Sequence, residues 1–154
     1  MKIIFKLLLC LFFINFNISA DDFKYKVIGK LKTDNVIVFP EGGRFVSFHH
    51  EGGFETNVGK YGEYQCRGNI LYDKNSKLKN MFFACENTDQ NGDRFINMGK
   101  RFIGSDMDRA VGEMSIVEGE GFWKSFLGYH CTYAIEYVSK VIFAPAQCKK
   151  EKKD

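Results

Sequence analysis

The chain has 154 residues, with 22 Lys and Arg against 19 Asp and Glu, and 45% of its residues are hydrophobic. That is the size and polarity of one ordinary domain with a single core. The near-level charge excludes the strongly basic footprint of a general nucleic-acid binder.

The first twenty residues read as a secretory signal. Lys2 and Lys6 give a positive start, residues 7–14 form an apolar run, and Ser19 and Ala20 precede the acidic pair Asp21-Asp22. The run is too short to span a bilayer, and no later stretch would stop transfer. The mature protein is therefore expected outside the cytoplasm, periplasmic or extracellular, without a membrane span. Cys10 sits early in the apolar run, which continues through Leu11, Phe12 and Phe13. That placement argues against lipidation. Residues 21–148 are expected to form one domain, and 149–154 a solvated, disordered basic tail.

Short β-type runs punctuated by Gly, Asn and Asp fill the rest. Strands are predicted at 24–31, 43–51, 61–72, 79–88, 94–102, 112–117, 129–137 and 141–148. A further β-branched run, 36–39, ends at Pro40. No segment carries a helical period over three turns. Polar turns are predicted at 73–77, 89–93 and 138–140. The Asn91-Gly92 pair in the second suggests a type I′ hairpin, since both residues tolerate positive φ. The expected fold is all-β: one antiparallel up-and-down barrel of about eight strands, with a sandwich as the other arrangement such spacing permits.

Four cysteines follow the signal: Cys66, Cys85, Cys131 and Cys148. An even count in an exported chain implies two disulfides, and a zinc site would need close Cys pairs or neighbouring histidines. Folding the 61–72 and 79–88 runs about their turn sets Cys66 opposite Cys85. Tyr64, Gly68, Ile70, Met81 and Phe83 share that face, while Glu63, Gln65, Arg67, Asn80 and Glu86 take the other. Folding the last two runs sets Cys131 opposite Cys148, beside Tyr133, Ile135, Tyr137, Ile142, Ala144 and Ala146. Alternation and cysteine pairing agree in both hairpins.

Between them lies Gly119-Glu120-Gly121-Phe122-Trp123-Lys124-Ser125-Phe126-Leu127-Gly128. It is expected to be a short turn or 3-10 segment near 121–127, its glycines bending the chain so that Phe122, Trp123 and Phe126 pack across a barrel end. With Gly119, Gly121, Trp123 and Gly128, this stretch resembles the late glycine-aromatic motif of allene oxide cyclase-like barrels, within the broader calycin-like (lipocalin-like) group. It departs at Ser125 and Phe126. The order Cys66, Cys85-Glu86-Asn87-Thr88-Asp89, Asn91-Gly92-Asp93 is similar to that of uncharacterised exported bacterial members. The resemblance spans residues 61–133 and implies a barrel. It implies no particular role, because such barrels include enzymes and ligand carriers, and it transfers no cyclase residue to this chain.

Asp89-x-Asn91-x-Asp93 has the opening of a calcium loop, but an EF-hand needs Gly and Glu where Arg94 and Lys100 stand. A hairpin turn accounts for the same residues, and neither metal nor cofactor is expected. His49-His50-Glu51 is the densest cluster of catalytic residue types. Adjacent strand residues face opposite ways, so His50, on the face of Phe48 and Val46, is the inward candidate, and a surface strand end before Gly52-Gly53 is the plainer reading. His130 beside Cys131 would suggest a thiol nucleophile, but the disulfide removes the thiol. Phe48, Tyr64, Phe83, Trp123, Phe126 and Tyr133 are expected to line an apolar cavity or to fill a solid core.

The functional expectation is a non-enzymatic exported barrel that binds a small apolar ligand or a protein partner; a structural or inhibitory domain that uses exposed loops such as 52–62 is a further possibility. The alternative is an isomerase or cyclase with His50 or Glu51 in the lumen. Peptide mapping under non-reducing conditions is expected to return Cys66–Cys85 and Cys131–Cys148. A Cys66–Cys131 peptide would contradict the pairing.

Overall fold

The computed structural model describes residues 22–105 and 109–150. The signal segment and residues 151–154 lie outside the described residues. Eight strands follow in order: β1 (Phe23–Val38), β2 (Arg44–Thr56), β3 (Tyr61–Tyr72), β4 (Leu78–Asp89), β5 (Arg94–Arg101), β6 (Arg109–Gly119), β7 (Tyr129–Val138) and β8 (Val141–Lys150). A 3-10 segment, Gly121–Phe126, sits between β6 and β7. Each strand pairs antiparallel with the next, and β8 pairs back onto β1, so the sheet closes into an up-and-down barrel.

Period-2 alternation aims one face of every strand at the axis. In β3, Tyr64, Cys66, Ile70 and Tyr72 are buried while Glu63, Gln65 and Arg67 are not. The registers set Cys66 opposite Cys85 and Cys131 opposite Cys148, and both pairs are disulfide-bonded. Each bridge ties neighbouring strands on the inner face.

The structure redraws four sequence expectations. The runs at 24–31 and 36–39 are one strand, β1, with an irregular register between Leu31 and Thr33. That offset lets the strand bend, so that Val36–Val38 continue against β2 as the ribbon tip before Pro40. Second, β2 does not stop before Gly52-Gly53 but runs through them to Thr56, and the intervening loop shrinks to residues 57–60. Third, Lys149 and Lys150 finish β8, paired with His130 and Tyr129, and are not tail.

The fourth concerns the Asp89–Asp93 turn, which is not type I′. Only Gly92 has positive φ (86°), and Gly92 N–H donates to the Asp89 carbonyl. Asp89 Oδ1 accepts from the Asn91 and Asp93 N–H groups at 2.8 and 3.1 Å, which holds Asn91 out of the left-handed region. Asp73 caps its own turn through Asn75 and Lys77 in the same way, with Ser76 at φ 61°.

Glycine and aromatic residues share the inner wall. Gly29, Gly52 and Tyr64 lie in one row across β1, β2 and β3. A Cβ on Gly52 would meet the Ile28 carbonyl oxygen at 2.2 Å and Gly29 Cα at 2.4 Å, and one on Gly29 would overlap the Tyr64 hydroxyl. The neighbouring outward Gly53 has only the Gly62 carbonyl, at 3.5 Å. Gly52→Ala is therefore expected to cost about 2–3 kcal/mol, because backbone must shift. Gly53→Ala is expected to be neutral or to add about 0.5 kcal/mol by restricting the unfolded chain. Urea unfolding of the two variants reads the contrast, and equal effects would contradict the packing.

Candidate functional site

One barrel end is sealed. Phe23, Phe54, Phe95, Trp123, Phe126 and Tyr129 form a continuous aromatic cluster, with Phe95 and Trp123 centroids 4.1 Å apart and Phe23 and Phe126 at 4.8 Å. The chain enters this plug through Gly121 (φ 48°) and leaves it through Gly128 (φ 76°). Trp123 is 0% exposed, and its Nε1–H donates to Asp89 Oδ2 at 3.2 Å. Lys60 Nζ meets the same oxygen at 2.8 Å. Asp93 Oδ2 accepts from Phe122 N–H. Burial works to raise the Asp89 pKa, but the Lys60 ammonium and the turn's N–H groups outweigh it and hold the carboxyl below its ordinary value. Asp89 and Asp93 of the calcium-like motif therefore anchor the plug to the β4–β5 turn.

Above the plug the bore is filled. Tyr25 donates to Asn87 Oδ1 at 2.5 Å, and Asn87 Nδ2 donates to the Phe95 carbonyl at 3.3 Å. The cavity left in the lumen measures about 50 Å³ and is bordered by Phe48, His50, Tyr64, Phe83, Tyr133 and both cysteines of the Cys66–Cys85 bridge. That volume suits a water or two, far below the roughly 300–1,000 Å³ of ligand pockets. Of the six expected ligand-lining residues, the structure brings Phe48, Tyr64, Phe83 and Tyr133 together around this void. Trp123 and Phe126 belong to the plug instead. Trp123 is thus remote from the open end and a poor reporter of events there.

The open end carries a different chemistry. A cleft of about 260 Å³ is lined by Leu31, Val36, Arg44, Val46, Phe48, His50, Ile70, Tyr72, Arg101, Tyr137 and Ser139. Its floor is polar and buried: Arg101 is 3% exposed and His50 5%. Arg101 Nη2 donates to the Tyr137 hydroxyl oxygen at 2.8 Å. With that oxygen accepting, the Tyr137 O–H is left to face His50 Nε2, 3.5 Å away. The His50 ring stacks on Phe48 at 4.6 Å between centroids. At the rim, the Arg44 guanidinium lies over the Tyr72 ring at 4.8 Å.

Burial first, then the Arg101 and His49 charges, push the His50 pKa down to about 3. His50 is therefore a neutral imidazole at physiological pH. Burial also raises the Tyr137 hydroxyl, although the Arg101 charge works against it.

Glu51, the other catalytic candidate, faces outward. Its carboxylate pairs with Lys32 at 2.8 Å on the outer wall, so His50 and Glu51 form no acid–base pair. The sequence reading placed Tyr137 on the inner face but not in a site, and it missed Arg101 and Arg44. The available signal was parity: Phe95, Asn97, Gly99 and Arg101 share the inner face of β5, so Arg101 is an arginine at a core position.

Comparison with protein-family descriptions finds no match, and none of the curated proteins matches. Among solved structures, the chain is similar to a conserved protein of unknown function from Rhodopseudomonas palustris. That structure has a TM-score of 0.65 at 10% identity, covering 82% of this chain and 94% of the other. At that identity the likeness is one of fold: a closed eight-stranded antiparallel barrel of calycin-like form.

His50 carries a stability prediction. Between pH 6.5 and about 3 the unfolded chain binds a proton that the folded chain refuses, so stability falls as pH falls through that window. His50→Gln is expected to flatten the decline by at most about 1.4 kcal/mol per pH unit. Urea midpoints at pH 6.5, 5.5 and 4.5 measure it, and parallel wild-type and variant profiles would contradict a buried neutral His50.

Proposed function

We propose that the protein is an exported, non-enzymatic binding barrel whose site is the open-end cleft floored by Arg101, Tyr137 and His50. The observation that carries this reading is a buried, hydrogen-bonded polar floor beneath a cleft of about 260 Å³ whose sides include Leu31, Val46 and Ile70. Apolar walls with a few convergent polar groups are the usual composition of small-molecule sites. The filled lumen supports a site at the mouth over one in the bore. Among the described residues lining the cleft none is a carboxylate, which favours binding over the isomerase or cyclase alternative.

The export reading rests on the signal-like first twenty residues, and two disulfides are compatible with it. Among the described residues no helix is long and apolar enough to cross a membrane. The glycine-aromatic stretch around Trp123 remains the ground for relating the chain to allene oxide cyclase-like barrels. In this protein that stretch builds the plug.

Native mass spectrometry of protein purified from its own host tests the binding reading. A small organic mass is expected to co-purify and to be released on denaturation. Val46→Trp, which fills the cleft, is expected to lose that mass while still unfolding cooperatively. A bare protein mass in every preparation, or a ligand mass retained by Val46→Trp, would overturn it.

A further inference from the structure

Naming the ligand's class rests on the cleft being the binding site. Its charge comes from Arg44 and Arg101, among described lining residues that include no carboxylate. Neither guanidinium loses its proton in a protein, and Arg101 sits at 3% exposure, where water screens it little. His50, held neutral beside it, adds no positive charge and leaves the floor's field to Arg101. The field in the cleft is therefore positive, which disfavours cationic ligands and rewards an anion.

Shape narrows the anion. A guanidinium is a planar fork that matches a carboxylate with two parallel N–H···O bonds. Tyr137 Oη, fixed 2.8 Å from Arg101 Nη2, orients that fork. Above the floor, Leu31, Val36, Val46 and Ile70 offer only apolar contact. A free inorganic anion would leave those walls unused, and a long acyl chain would exceed a cleft of about 260 Å³ with a filled bore beneath it.

We infer that the cleft takes a small organic monocarboxylate, a single-ring or short-chain acid, with its carboxylate on Arg101 and its apolar body against Leu31, Val46 and Ile70.

Isothermal titration calorimetry at low salt and pH 7 tests this with phenylacetate and hexanoate, the neutral phenylacetamide and hexanamide, and the cationic phenethylamine. Both acids are expected to bind at least tenfold more tightly than their amides, with phenethylamine weakest. Arg101→Met is expected to abolish the acid preference. Should that variant fail to fold, the wild type still decides: because Arg101 is buried and salt screens it little, the preference for phenylacetate over phenylacetamide is expected to persist from 20 to 300 mM salt, and its loss at 300 mM would overturn the assignment to Arg101. Equal binding of acids and amides overturns the charge assignment and leaves the cleft as a site. Binding of no probe also overturns it, and the cleft falls as a site only if the purified protein carries no ligand mass.

Discussion

The bore of an eight-stranded barrel is just wide enough for inward side chains from opposite walls to meet. Everything else in this structure follows from how the chain spends that space. At one end aromatic rings meet across the axis, with Trp123 against Phe95 and Phe23 against Phe126. In the middle, Tyr64 fits only because Gly29 in the same row has no side chain, and Gly52 between them admits the close approach of the β1 backbone. Large residues opposite small ones fill a narrow barrel without forcing the strands apart. The result is a bore with about 50 Å³ to spare.

A filled bore makes the two ends unlike. The closed end is fastened by one buried carboxylate. Asp89 holds its own turn with one oxygen and receives Trp123 and Lys60 with the other. Buried charges persist where their lone pairs are fully used, and Asp89 meets that condition. Among the described residues the open end has no such plug. Its polar floor of Arg101, Tyr137 and His50 stays at the bottom of a cleft, and that asymmetry is why the proposed binding site lies at one end of the barrel.

The parts legible in the sequence are those governed by alternation. The two disulfides and the inner faces of β3, β4, β7 and β8 follow from period-2 patterning plus turn residues; the same patterning points to a barrel but also permits a sandwich, and the closed sheet decides between them. The inward direction of His50 followed from the same rule. What alternation does not encode is which inward residues end near solvent. Tyr64 and Tyr137 look equivalent as inward aromatics, yet one borders the lumen void and the other floors the cleft. Their depth depends on strand tilt and stagger, which accumulate around the barrel. Arg101 was hidden for another reason: an arginine at a strand end reads as solvated, and only the closed sheet shows that position to be interior. The Gly52-Gly53 pair misled because glycine pairs usually mark turns, while here Gly52 makes room for a close backbone approach inside a strand.

The central claim is that ligands meet this barrel at its mouth and not in its bore. A ¹H–¹⁵N NMR titration with phenylacetate locates binding directly. The account predicts shift changes confined to β1, β2, β3, β5 and β7 residues around Arg44, His50, Ile70, Arg101 and Tyr137, with the Trp123 indole N–H unmoved. Changes centred on Trp123, Asp89 and Phe126 would contradict it.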